Sequence, residues 1–410
     1  MLRTAGVSRA FTWGGVPTTE TVVAPAAHPE GGKMSSTGPS SENTHLIGRA
    51  DVDDLEAILA VSNGDMAETI HTVGGHLDAI FTWDYAKAAR PQLGKLYEKA
   101  KVSQWNSETD VPWDTDVDQQ KVTLGNVLAY GGFMPGINDL KGTPFEKWTA
   151  NEWIALGCES QNWTLSQFLH GEQGALLCTA KIVETVPWID AKYYAATQVM
   201  DEARHVEVFS RYLDTKLSGH YPINAHLKLL LDQIVRDSRW DMTYLGMQIM
   251  VEGLALSAFR SMHDLTVEPL LRHILRYVMA DESRHIAFGV LTLKELYSEL
   301  SAAELRERQE FVFEAAVRMR DRFLQQEVWE RMGLPVKQTI KLIMQSPERQ
   351  VFQRMLFTNV VPNCKRLGLL DAGDGWLRQK FEELGVLQFE NLEDTRSLFE
   401  DFSIAQESLA

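Results

Sequence analysis

The sequence predicts an all-α fold built on a four-helix bundle, and three observations carry that prediction. From about Val52 onward apolar residues recur at three-to-four spacing, the period of an amphipathic helix. No series of alternating strands joined by hairpin dipeptides can be found. The chain also echoes itself: Asp201-Glu202-Ala203-Arg204-His205 returns 80 residues later as Asp281-Glu282-Ser283-Arg284-His285.

Helices are expected over roughly 52–72, 78–103, 144–185, 188–217, 225–237, 240–263, 267–300, 302–332 and 347–368. They are punctuated at Asn63-Gly64, Gly131-Gly132, Pro135-Gly136, Pro187, Gly219-His220-Tyr221-Pro222, Pro269 and Gly333. Residues 104–143 are rich in Trp, Asp and Gly without clear periodicity and read as an irregular covering segment. Residues 1–45, rich in Gly, Pro, Ser and Thr, cannot bury enough apolar surface to offset the entropy of ordering and read as a disordered tail, with Met34 a candidate true start. The remainder, 46–410, reads as a single helical domain: a bundle core over about 144–300 and additional helices over 302–410, which offer a surface for a homodimer.

Charge and cysteine content exclude several classes. With 40 basic and 56 acidic residues the net charge is −16, which disfavours a phosphate backbone, so nucleic acid is not an expected partner. Cys158, Cys178 and Cys364 are widely spaced and form no C-x-x-C pair, so neither a disulfide framework, a zinc knuckle nor an iron–sulfur module is encoded. A reducing cytoplasm suits them. No apolar run approaches the ~20 residues of a membrane span, and the N-terminus has Arg3 and Arg9 but no apolar core of a secretory signal. A soluble cytoplasmic protein with no membrane association is expected.

The repeat carries the chemistry. Glu172 and Glu252 are also 80 residues apart, and each precedes its Glu-x-x-His by 30. Residues three apart share a helix face, so Glu202 with His205, and Glu282 with His285, can each present a carboxylate and an imidazole to one point. A 30-residue separation brings two side chains level if the chain turns midway, after about 15 residues or ~22 Å of helix. The midpoints are 187 and 267. The first is a proline; the second lies between Asp264 and Pro269, in a stretch of turn character. Residues 218–240 are long enough to cross between the two hairpins. Four carboxylates in a helical core repel one another unless cations compensate them, and two divalent metals balance their charge. Oxygen-rich donors with one imidazole per metal suit iron or manganese better than structural zinc. Fe/Fe is the preferred pair, with Mn/Fe and Mn/Mn open.

This pattern resembles the ferritin-like di-iron carboxylate proteins, whose site takes a Glu from each of two helices and a Glu-x-x-His from the other two. Four ligand segments over about 160–300 match: Glu172, Glu202 with His205, Glu252, and Glu282 with His285. The D-E-x-R-H form is common in the oxygenases and ribonucleotide reductase small subunits of that superfamily. The resemblance implies that Asp201 and Asp281 bond the ligand imidazoles across the bundle and that Arg204 and Arg284 pair with them. It also implies an O₂-activating enzyme that hydroxylates, N-oxygenates or desaturates a small, largely apolar organic substrate. No flavin, nicotinamide or iron–sulfur fingerprint is present, so a separate reductase is expected to supply electrons.

Two other readings share the same ligands. An iron oxidation and storage protein of ferritin type would not need the long segments flanking the bundle. A ribonucleotide-reductase-small-subunit-like oxidase typically has its radical tyrosine one turn after the first histidine, where this chain has Phe209, and its first ligand is usually Asp rather than Glu172. Among oxygenases, the aryl-amine N-oxygenases typically add a third His one turn before the second Glu-x-x-His, where Val278 stands here. The multicomponent hydroxylases usually carry Thr where Leu256 stands, and the acyl-carrier-protein desaturases space their first two ligands further apart. The subgroup is therefore left unassigned. Phe168, Gln198, Phe209, Gln248, Leu256 and Phe259 fall on the ligand-bearing faces and are candidate pocket residues. His170, His220, His226, His263 and His273 have no partner at ligand spacing and read as surface or satisfied polar groups.

Overall fold

The computed structural model describes residues 46–49, 51–63, 66–75, 78–85, 90–130 and 140–392, and no strand occurs among them. The expectations for 1–45, including Met34, and those for Gly64, Gly131-Gly132 and Pro135-Gly136 lie outside the described residues.

Upstream of the bundle lie three short helices: α1 (Leu55–Leu59), α2 (Pro91–Val102) and α3 (Gln119–Tyr130). All three correct the sequence reading. The helix expected over 52–72 is only α1; beyond it the described residues 66–72 are exposed, so no packed face sustains a longer helix. The helix expected over 78–103 begins at Pro91, whose ring disfavours helical geometry in the preceding residue; 78–85 are not helical and 86–89 lie outside the described residues. The segment expected to be irregular, 104–143, contains α3.

The bundle proper opens at Thr149. Its side chain and that of Glu152 form a reciprocal capping box that starts α4 (Ala150–Thr185). The chain turns through Val186–Trp188, with Pro187 between the helices, into α5 (Ile189–Lys216), which packs back along α4. The crossover contains α6 (Ala225–Arg236), N-capped by the Asn224 side chain. The second hairpin is α7 (Trp240–Leu265) and α8 (Pro269–Tyr297). At its turn Glu268 accepts hydrogen bonds from the Leu270 and Leu271 amides, both 2.6 Å, and Pro269 occupies the first helical position, where a missing N–H costs nothing. Trp188 and Trp240, at the starts of α5 and α7, pack edge to face at 5.1 Å.

By length and composition α7 could cross a bilayer, but 94% of its most apolar stretch is buried inside the protein, as befits a central core helix. Within it, Leu245–Val251 is π-helical and ends at Glu252. Gly246 sits in this widened stretch because a Cβ there would lie 2.5 Å from Ile234 Cγ1 on the crossover helix. Sequence spacing does not announce a π-turn.

After the bundle, a capping box between Ser301 and Glu304 starts α9 (Ala302–Asp321). The helix expected over 302–332 breaks at Gln325, at φ 55°, before α10 (Gln326–Arg331). Next come α11 (Val336–Met344), α12 (Pro347–Met355), α13 (Val360–Arg366) and α14 (Trp376–Glu383). The helix expected over 347–368 is thus two.

Lys181 ties the first hairpin to the crossover. Its buried ammonium donates to the carbonyls of Ile234 (3.3 Å), Val235 (3.0 Å) and Asp237, capping the C-terminus of α6. Lys181→Met removes the donor and leaves those carbonyls unsatisfied, so it is expected to destabilise the fold by about 1–3 kcal/mol. A lower urea midpoint at unchanged slope would record the loss.

Candidate metal centre

Each bundle helix contributes a carboxylate at the same height: Glu172 from α4, Glu202 from α5, Glu252 from α7 and Glu282 from α8. His205 and His285 follow one turn after the second and fourth. All six are buried. They form two overlapping clusters, Glu172, Glu202, His205 and Glu282 in one and Glu202, Glu252 and His285 in the other, with donor atoms in each within 4.8 Å of one another. Glu202 belongs to both. Glu282 also faces both imidazoles, 3.1 Å from His205 Nδ1 and 3.6 Å from His285 Nδ1.

The imidazoles are held across the bundle by the opposite repeat. His205 Nε2 lies 3.1 Å from Asp281 Oδ2, and His285 Nε2 lies 3.2 Å from Asp201 Oδ2. With an Nε2 proton donated to each aspartate, both Nδ1 atoms face the glutamates. Arg204 pairs with Asp201 and Arg284 with Asp281, and each guanidinium also reaches the other aspartate, at 3.6 and 3.7 Å. The 80-residue repeat thus becomes an approximate two-fold arrangement around the glutamates.

Residues that the sequence reading left unassigned cover this network. Trp105, from the segment after α2, donates from its indole to Asp281 Oδ2 at 2.7 Å, and Gln104 donates to Asp201 Oδ1 at 3.2 Å. Trp105 also stacks on Tyr277 at 4.9 Å and lies under the Arg204 guanidinium at 5.1 Å. One signal could have found them: a polar and an aromatic residue directly beyond a helix, in a segment with no strand or helix period of its own.

The candidate pocket residues divide. Phe168, one turn before Glu172, lines a cavity of about 420 Å³ and packs on Phe209 (6.0 Å) and Phe259 (4.6 Å). Phe209, Phe259 and Leu256 are buried behind it and do not line the cavity. Gln198 is a clamp, donating 2.9 Å to Glu202 and 3.0 Å to Glu252. Gln248 is fully buried in the π-helical stretch, and its amide has no partner among the described residues. The rest of the cavity wall, including Met262, Leu265, Phe323 and Phe352, has no signature in the sequence, and about a third of the wall comes from segments outside the repeat. A second cavity of about 400 Å³ lies between Asp53 and Val386 and contains none of these side chains. The remaining histidines, His170, His220, His226, His263 and His273, lie outside both clusters.

The donor set fits a pair of cations. One oxygen each of Glu202 and Glu252, both oxygens of Glu282 and Nδ1 of His285 are buried without a hydrogen-bond partner, a costly arrangement for atoms with no ion to bind. The electrostatics agree. Burial, then the neighbouring Glu282, raise Glu172 and Glu252 well above the ordinary carboxyl range. Burial opposes charge on His205 and His285 too, but the surrounding carboxylates outweigh it and raise both imidazoles. Without metal, protons therefore do the compensating.

Metal uptake must displace those protons, so affinity is expected to rise with pH and protons to appear on titration. The sign for stability is the same for all four raised groups. Their stabilisation is complete below the unfolded values and is lost as pH rises through the folded ones. Metal-free protein should therefore melt at lower temperature as pH increases, and loading should reverse the loss. Glu202→Ala or His285→Ala is expected to abolish stoichiometric metal binding while leaving most helicity, as read by metal analysis and circular dichroism. Asp281→Asn should weaken metal binding by roughly 10–100-fold, because the imidazole loses its orienting acceptor.

Comparison with known proteins places the chain. Residues 87–368, which include all six side chains, match the family model for p-aminobenzoate N-oxygenase AurF. No curated protein matches. Solved structures that resemble the chain include R2-like ligand-binding oxidases. One, a variant with an anaerobically reconstituted Mn/Fe cofactor, is 19% identical over 71% of this chain and 98% of its own, with a TM-score of 0.42. Another, aerobically reconstituted with Mn/Fe, is 18% identical over 69% and 94%, with a TM-score of 0.43. With the family model matching more than half its length and a carboxylate–imidazole cluster fit for two metals, the chain belongs to the AurF family of ferritin-like di-iron oxygenases.

Proposed function

We propose that Glu172, Glu202, His205, Glu252, Glu282 and His285 hold two iron ions, and that the protein N-oxygenates an aromatic amine admitted through the cavity beside Phe168. The single observation that carries this reading is the family match, which spans both clusters and most of the cavity wall. Iron is preferred because the family is a di-iron one; Mn/Fe uses the same donors. Bound there, the metal pair supplies reductive activation of O₂.

The chain's own residues position and protect that chemistry. Glu202 and Glu282, each facing both imidazoles, would hold the metals together with them, and Gln198 ties the Glu202 and Glu252 carboxylates to one another. Asp201 and Asp281 hold the imidazole protons on Nε2 and leave Nδ1 for metal. Phe168, Phe209 and Phe259 form an apolar wall that excludes water between cavity and carboxylates. Val278, buried where aryl-amine N-oxygenases typically add a third histidine, limits the protein donors to six. Electrons come from a separate reductase, the protein works in the cytoplasm, and a homodimer is part of the same proposal.

The test is to load the protein with ferrous iron and supply p-aminobenzoate, reductant and O₂. Hydroxylamine or nitro products, with about two iron ions per chain and none from Glu202→Ala, are the expected outcome. Mineral formation in a large shell without organic product would instead favour iron storage.

A further inference from the structure

On the side of the glutamates away from Phe168, the bundle core is polar. Tyr194 and Gln198 precede Glu202 by two turns and one on α5, and Tyr244 and Gln248 precede Glu252 in the same order on α7. Thr292 follows His285 by two turns on α8. All five are at most 1% exposed. Phe288 lies among them, its ring 4.4 Å from Tyr194 and 5.0 Å from Tyr244. Gly289 lets α8 come this close, since a Cβ there would lie 2.7 Å from Gln248 Cβ. The hydroxyls of Tyr194, Tyr244 and Thr292, the side-chain oxygen of Gln198 and both ends of the Gln248 amide have no hydrogen-bond partner among the described residues. The Tyr244 and Thr292 hydroxyls influence one another without reaching hydrogen-bonding geometry. Only the Gln198 nitrogen is occupied, by Glu202 and Glu252.

Orphaned polar atoms gathered in one layer destabilise a dry core, and water is the partner that satisfies hydroxyls and amides alike. A buried water needs about two to four polar partners, and this layer offers six atoms. The spacing suits it. Four residues of helix rise about 6 Å, twice the length of a hydrogen bond, so one water spans each step from Glu202 to Gln198 to Tyr194. The layer also leads outward. Tyr244 packs on Trp240 at 5.7 Å, and Trp240 on Trp188 at 5.1 Å. Arg90 lies over Trp188 at 4.0 Å and pairs at 2.8 Å with Glu295, whose side chain is half exposed one turn after Thr292. On the opposite side Phe168, Phe209 and Phe259 close the approach to water.

We infer that this layer, threaded by ordered water, is the route by which protons reach the metal centre from the surface beside Glu295. N-oxygenation of an amine to its hydroxylamine consumes one O₂, two electrons from the reductase and two protons. The O–O bond breaks, an N–O bond forms, and the second oxygen leaves as water. The apolar substrate side cannot deliver those protons, whereas a hydroxyl passes one on by accepting a hydrogen bond while donating another. Tyr194, Tyr244 and Thr292 are the relaying hydroxyls, and Gln198 and Gln248 orient the waters between them and the glutamates. All five act as positioning residues. The inference rests on the reading above only in placing the metals at the six side chains, and it is independent of the substrate.

The test uses iron-loaded protein and has two readouts. A high-resolution crystal structure should show ordered waters bonded to the Gln248 amide and to the Tyr194 and Tyr244 hydroxyls. Second, anaerobic ferrous protein is mixed with O₂ in H₂O and in D₂O without any amine, and iron oxidation is followed optically. Two ferrous ions then give two electrons to O₂, which takes up two protons and leaves as hydrogen peroxide. Gln248→Leu and Tyr244→Phe remove groups with no protein partner, so both should fold and bind about two iron ions per chain. Each should slow iron oxidation by about tenfold or more and enlarge its H₂O-to-D₂O rate ratio, which a merely structural residue would leave alone. Gln248→Asn, which keeps an amide, should restore part of the rate. Absence of ordered water at these groups would overturn the inference, as would wild-type rates and isotope ratios in folded, iron-loaded variants. If neither variant folds or loads iron, the waters in the wild-type structure decide. Product analysis with amine separates the two proposals: a relay without hydroxylamine product removes only the N-oxygenase reading, and product with unaltered variants removes only the relay.

Discussion

Four carboxylates at one height inside an apolar bundle are the constraint on which the rest of the structure depends. Water cannot solvate Glu172, Glu202, Glu252 and Glu282 there, so charge on any of them must be met by a proton, an imidazolium or a metal. The backbone is arranged to bring this conflict about. Two hairpins turn midway between paired ligands, and a crossover helix secured by Lys181 lets them face one another. Such a site is unstable without cations, and binding them then contributes to folding itself.

The surroundings of the glutamates are unlike in different directions. Across the bundle lies a charged lattice of two aspartates and two arginines, which fixes the imidazoles and is covered by Gln104 and Trp105. Along the helices toward Phe168 the wall becomes aromatic and opens into a cavity. A centre that activates O₂ beside an organic substrate needs both: rigid, hydrogen-bonded support for the donors and a dry approach for the substrate.

The segments outside the repeat provide what a bare bundle lacks. The stretch after α2 covers the aspartates, and the α9 to α12 region supplies Phe323, Phe352 and Arg349 to the cavity. Segments that carry no metal donor therefore shape the cavity wall.

The bundle and the convergence of six buried carboxylate and imidazole side chains were legible in the chain alone, because helical geometry converts spacings of three and thirty directly into position. Helix ends with local causes were legible too: Pro187 and Pro269 mark both hairpin turns. What the sequence could not determine depends on residues far apart in the chain. The break at Gln325, the π-helical stretch that includes Gly246, the short α1 and the covering role of Trp105 have no counterpart in any local spacing. Arg349 is the clearest case. On its helix it is an ordinary basic residue, and only the tertiary structure brings it into the wall of the cavity that also contains Phe168.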